Sequence, residues 1–189
     1  MCRRLAAGNA AAHEPDLARA LSNLGAYHAM LGHGAEAVAA EQEALSVRRR
    51  LARADPTAFA ADLATSVGNL GFYQAGMGRY EEALAATEQA VTSYRRLVAG
   101  DRAAYEPELA RCLSLSASVR GRRPQGLQGA LRELEEAIAI YRRLAAELPE
   151  AFEGQLRRCL RMEAVVLDGL GRHQQATAIR RALSGDSDR

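Results

Sequence analysis

A chain of 189 residues that is 48% hydrophobic, 25% charged and only 5% aromatic, with no Trp, has the composition of a folded protein built on Ala and Leu. Such a core suits closely packed helices better than a β-sandwich. The formal net charge of +2 makes no electrostatic case for nucleic acid, and Cys2, Cys112 and Cys159 are spaced for neither a disulfide framework nor a zinc site.

Taken from the N-terminus, residues 1–12 read as the remnant second helix of an incomplete unit. Arg3-Arg4-Leu5-Ala6 matches Arg49-Arg50-Leu51-Ala52, a step of 49 − 3 = 46. Either the chain is a fragment of a longer array, or this half-unit caps the next helix; the sequence leaves both open. Unit one, about 13–55, opens with a helix from about Glu14 to Leu31. Its apolar positions Leu17, Leu21, Leu24, His28 and Leu31 fall at helical spacing. Gly32-His33-Gly34 makes the turn, and a second helix runs from about Ala35 to Arg53. Asp55-Pro56 stops it and starts the next helix, with Asp as N-cap and Pro in the first turn.

Unit two, about 56–101, repeats this plan. Leu63, Val67, Leu70, Gln74 and Met77 line its first helix, Gly78 turns the chain, and Ala83, Leu84, Thr87, Ala90, Val91, Tyr94 and Leu97 follow on the second. Unit three, about 102–148, departs from it. Ser116 and Arg120 stand where Leu70 and Gln74 stood, and Gly121-Arg122-Arg123-Pro124-Gln125-Gly126 predicts a shorter first helix and a longer loop. Unit four, about 149–183, carries Leu156, Leu160, Leu167 and Leu170 before a turn at Gly171, and 184–189 reads as a polar, disordered tail.

The register is internal evidence. Asn23-Leu24-Gly25 recurs as Asn69-Leu70-Gly71, and Ala37, Ala83, Ala130 and Ala176 are 46, 47 and 46 apart. One helix pair cannot bury its apolar stripe alone, so stacked neighbours complete the core. Asn-Leu-Gly followed by the turn glycine and two spaced alanines (Gly25, Gly32, Ala37, Ala44, then Gly71, Gly78, Ala83, Ala90) resembles the tetratricopeptide repeat over about residues 14–183. The 46–47-residue period is longer than the usual repeat and is similar to the long-helix variants of kinesin light chains and bacterial signalling proteins. The resemblance implies an all-α right-handed α-solenoid of about four helix-turn-helix units. It also implies a protein-interaction scaffold whose first helices line a groove for an extended peptide or a partner helix, with no enzymatic activity and no cofactor. Gly71 and Ala83 then permit close helix approach and Gly78 closes the turn.

By position the resemblance gives the ligand-binding Asn role to Asn23 and Asn69; Leu115 and Met162 replace it in the last two units. Neighbouring groove positions are Arg19, Ala26, Thr65, Phe72, Arg111, Ser118, Arg158 and Arg161. Arg19, Arg111 and Arg158 share one phase, 92 and 47 residues apart, and could clamp the carboxylates of an acidic partner. All 25 basic residues are Arg, however, so coding bias explains the same side chains without a role. Arg122-Arg123 and Arg157-Arg158-Arg161 lack aromatic interleaving and are followed by acids, which argues against nucleic acid. His13, His28, His33 and His173 share no ligand spacing, so no metal is expected; His28 reads as core. Cys112 and Cys159 occupy a phase that takes a small residue and read as packing. Glu81-Glu82 and Glu135-Glu136 read as solvated helix partners of Arg. No signal peptide or membrane span is visible, which gives a cytoplasmic protein as the expectation, with self-association through the incomplete N-terminal unit as the second reading.

Overall fold

The computed structural model describes residues 10–185, and among these there are eight α-helices and no strand. They are α1 (Ala10–Met30), α2 (Gly34–Ala54), α3 (Pro56–Gly76), α4 (Tyr80–Gly100), α5 (Arg102–Arg120), α6 (Leu127–Glu147), α7 (Pro149–Gly169) and α8 (His173–Gly185). A short 3₁₀ turn, Pro124–Gly126, precedes α6. The chain is all-α and of the helical-repeat solenoid class. It divides into two compact units, Met1–Gly100 and Asp101–Arg189. In the first, α1 packs on α2, α2 on α3 and α3 on α4; in the second, α5 packs on α6, α6 on α7 and α7 on α8.

The helix boundaries follow from local chemistry. Asp55 accepts the Ala58 N–H at 2.9 Å and Asp101 that of Ala104 at 3.0 Å, so two first helices start on a side-chain cap. Leu148 heads α7 without one, and there Pro149 alone presets the first turn. Three hairpins turn through a glycine in the left-handed region, Gly32, Gly78 and Gly171, at φ +78°, +75° and +76°. Each turn is closed by a backbone bond that reaches back five residues: His33 N–H to His28 C=O, Arg79 to Gln74, and Arg172 to Leu167, at 2.8–2.9 Å. Glycine takes this conformation readily because it has no Cβ to crowd the backbone.

The third hairpin is built otherwise, as its sequence indicates. Gly121 stays right-handed at φ −66°, α5 ends two residues earlier in register than α3, and residues 121–126 form the connection. At the N-terminus, α1 starts at Ala10 rather than near Glu14. The three residues expected to finish an incomplete unit therefore belong to α1, and Pro15 lies inside the helix. The remnant helix itself, with Arg3–Ala6, lies outside the described residues. At the other end α8 continues through Ser184 to Gly185, and the rest of the expected tail is likewise outside them.

Candidate partner-binding site

The first helices can present side chains because small residues let their second helices come close behind them. A Cβ at Gly71 would lie 3.2 Å from the Ala83 carbonyl oxygen and 2.8 Å from Thr87 Cγ2; at Gly25 it would lie 3.2 Å from the Ala37 carbonyl. Ala37, Ala83, Ala130 and Ala176, the four alanines in register, are all fully buried. The glycine and alanine of each Asn-Leu-Gly hairpin are thus contact residues.

In the first unit Arg19, Asn23 and Ala26 are exposed on α1 at spacings of four and three, so they share one helical face. Their counterparts on α3 are more enclosed. Thr65 and Asn69 are half-buried, while Phe72 is 54% exposed with its ring edge-on to Tyr73. The Thr65 hydroxyl bonds to the Ala61 carbonyl and to Tyr94 Oη, both within 2.9 Å, so it holds α4 against α3. Arg19 is salt-bridged to Asp16 at 2.7 Å, one turn earlier. In the second unit Arg111 is held the same way by Glu108 at 2.7 Å, and Ser118, Arg158 and Arg161 are exposed. The structure thus brings Arg19, Asn23 and Ala26 together on α1, and Thr65, Asn69 and Phe72 together on α3. Arg111 and Ser118 lie on α5, and Arg158 and Arg161 on α7.

Several polar residues that sequence reading passed over sit inside the molecule. Glu41 on α2 is fully buried, accepts Ser22 Oγ at 3.0 Å and lies 3.7 Å from Arg48. Arg48, itself buried, donates to Ser66 Oγ on α3. In the second unit Glu133 accepts Ser116 Oγ at 3.1 Å and the Arg120 guanidinium at 3.1–3.2 Å. This explains the irregular sequence of α5. Ser116, Arg120 and Glu133 depart together from the pattern, and Gly129 leaves room for the Arg120 chain, whose Cδ would be 2.6 Å from a Cβ there. A third set links helices at their outer ends: Arg50 with Glu14 at 2.7 Å, and Arg143 with Glu106 at 2.6 Å. The signal for that pair was available, since Glu14-Pro15 and Glu106-Pro107 recur 106 − 14 = 92 residues apart.

Cys112 and Cys159 are buried, and burial pushes both thiols up to about 11, away from nucleophilic thiolate character. Burial likewise pushes Tyr141 up to about 12. His28 is half-buried with its ring 5.9 Å from that of His33, and His173 Nδ1 is 3.1 Å from Asp168. Among the described residues no three His, Cys, Asp or Glu side chains converge as metal ligands, and no helix is long and apolar enough to cross a membrane. Glu81, Glu82 and Glu135 are exposed, and Glu82 pairs with Arg79.

Comparison with known proteins follows the same division of labour. The family described as "Tetratricopeptide repeat" matches residues 17–55 and 63–101, the two hairpins of the first unit. Those two stretches are similar to tetratricopeptide repeats. Among solved structures, BtubC (BKLC) from P. vanneervenii is 17% identical over 97% of this chain and 84% of that one, with a TM-score of 0.52; the likeness is one of fold. A Podosopora anserina putative kinesin light chain with nearly identical TPR-like repeats is 17% identical over 94% of this chain and 99% of that chain, with a TM-score of 0.44. No curated protein matches significantly. Tetratricopeptide repeats generally mediate protein–protein interaction.

Proposed function

We propose that this chain is a non-enzymatic scaffold that holds an extended peptide or a partner helix along the exposed face of its first helices. The observation that carries the reading is the α1 face. Asn23 is exposed in mid-helix between Arg19 and Ala26, in register with Asn69 on α3, at positions the helix does not use to pack on α2. A carboxamide there offers a donor and an acceptor to a peptide backbone, the pairing that an extended chain presents at every residue. Arg19 on α1 biases the choice toward acidic partners in the first unit, and Arg111, Arg158 and Arg161 do so separately in the second. The Asp16 and Glu108 pairs pre-order two of these guanidinium groups but weaken their pull, so the bias is one of selectivity more than of affinity.

The test is a titration of acidic and neutral peptides selected on the wild-type chain against Asn23→Ala combined with Asn69→Ala. Two lost carboxamide contacts at about 1 kcal/mol each correspond to a roughly 30-fold weaker complex. Unaltered affinity would show that the partner sits elsewhere. An Arg19→Ala chain should lose preference for acidic over neutral peptides by a few-fold and should keep its stability.

A further inference from the structure

The turn between α1 and α2 brings two histidines side by side. The bond from the His33 N–H to the His28 carbonyl, closed through left-handed Gly32, sets the two residues against each other. Their ring centroids are 5.9 Å apart, with the planes tilted by 43°. His28 Nδ1 is enclosed and has no hydrogen-bond partner, and His33, the N-cap residue of α2, makes no side-chain cap bond. The second hairpin shows which third side chain reaches this place. There Glu82, in the first turn of α4, turns back to accept Gln74 Nε2 at 3.2 Å and Arg79 Nε at 2.9 Å. A glutamate three residues past the cap reaches back in this way as a matter of helix geometry. Residues 74, 79 and 82 correspond, 46 residues earlier, to His28, His33 and Glu36. Two imidazoles and a carboxylate therefore occupy positions whose head groups the second hairpin gathers within hydrogen-bond range.

We infer that His28, His33 and Glu36 form a binding site for a divalent transition ion of the zinc class, which staples the end of α1 to the start of α2. Two imidazole nitrogens and one carboxylate oxygen are a zinc ligand set, with water completing the tetrahedron. Ligand atoms at zinc distances lie ~3.3 Å apart along a tetrahedral edge. The 3.2 Å between Gln74 Nε2 and Glu82 is close to that edge. The structure brings the two rings together and leaves the set one ligand short. Glu36 is exposed in the first turn of α2 and closes the set by turning back as Glu82 does. The other hairpins with this turn lack the donors, since they carry Gln74 with Arg79 and Leu167 with Arg172. The site is independent of the Asn23–Asn69 reading, and the double Asn variant should bind the ion as the wild type does.

The test is a calorimetric titration of the full chain with zinc chloride, repeated with cobalt(II) for its absorption spectrum. One ion should bind each chain at micromolar concentration and raise the unfolding midpoint. His33→Arg and Glu36→Gln, both at exposed positions, should each weaken binding by about tenfold or more with unchanged helical circular dichroism. His28→Gln, which installs the residue of the second hairpin, should do the same, while His173→Gln should leave the affinity unchanged. Binding seen only at millimolar zinc would overturn the proposal, and so would an affinity indifferent to His33→Arg and Glu36→Gln. A thiolate charge-transfer band on the cobalt complex would assign the ion to a cysteine and would also overturn it.

Discussion

The buried acid Glu41 sets the residue-scale energetics of the first unit. Its carboxylate is fully enclosed and has one oxygen without a hydrogen-bond partner, so it depends on Ser22 and the nearby Arg48 guanidinium to offset desolvation. Removing Arg48 leaves that charge uncompensated. Arg48→Ala should cost about 3 kcal/mol, measured by urea unfolding, whereas Arg19→Ala, on an exposed pair, should stay within about 0.5 kcal/mol. Two glycines give opposite signs. Gly71→Ala forces a Cβ to within 2.8 Å of Thr87 Cγ2 and should destabilise by about 2 kcal/mol. Gly154→Ala, in α7 with nothing within 4 Å, should stabilise by about 0.5–1 kcal/mol through helix propensity. Glu41 is not legible because a Glu in a helix rich in Ala, Arg and Glu reads as surface. The register held the clue: its counterparts Thr87 and Leu134 are buried too, so the site is interior on α2, α4 and α6 whatever residue fills it, while Arg180 on α8 is exposed.

At the scale of the element, turns and caps were the most readable features, because Asp-Pro, Gly32, Gly78 and Gly171 each have one dominant mechanical use. The third hairpin was read correctly as a shorter helix with a longer connection. Its cause was not visible, since Ser116 and Arg120 looked like lost core positions when taken one at a time. Only the fold shows that Glu133, 13 residues after Arg120, is what they face. The last helix supplies a pH-dependent contact. Asp168 on α7 accepts Arg180 and His173 of α8, and these hydrogen bonds hold its carboxyl below the ordinary carboxylate value, the Arg180 bond being the larger cause. A depressed carboxyl contributes stability that is present above its unfolded value near 3.8 and is lost as pH falls through the folded value. Amide hydrogen exchange in α8 should therefore rise relative to α7 on acidification below pH 4, and Asp168→Asn should abolish that extra acid sensitivity.

For the whole molecule, the period carried most of what could be known in advance. Helix order, hairpin turns and close-contact alanines all follow from the 46–47-residue repeat, because a unit that cannot bury its stripe alone must stack. What the period could not convey is how unevenly the repeat-equivalent positions are enclosed. Asn23 is exposed and Asn69 half-buried, and Tyr27 is open where Tyr73 is covered. Asn23 and Tyr27 lie on α1, whereas Asn69 and Tyr73 lie on α3, which α2 and α4 both pack against. The central claim is that the exposed first-helix face recognises peptide backbone through Asn23 and Asn69. The most direct measurement is the calorimetric affinity of one selected extended peptide for the wild-type chain and for the Asn23→Ala, Asn69→Ala double variant. The account predicts a loss of about 30-fold with no change in unfolding midpoint; equal affinities for the two chains would contradict it.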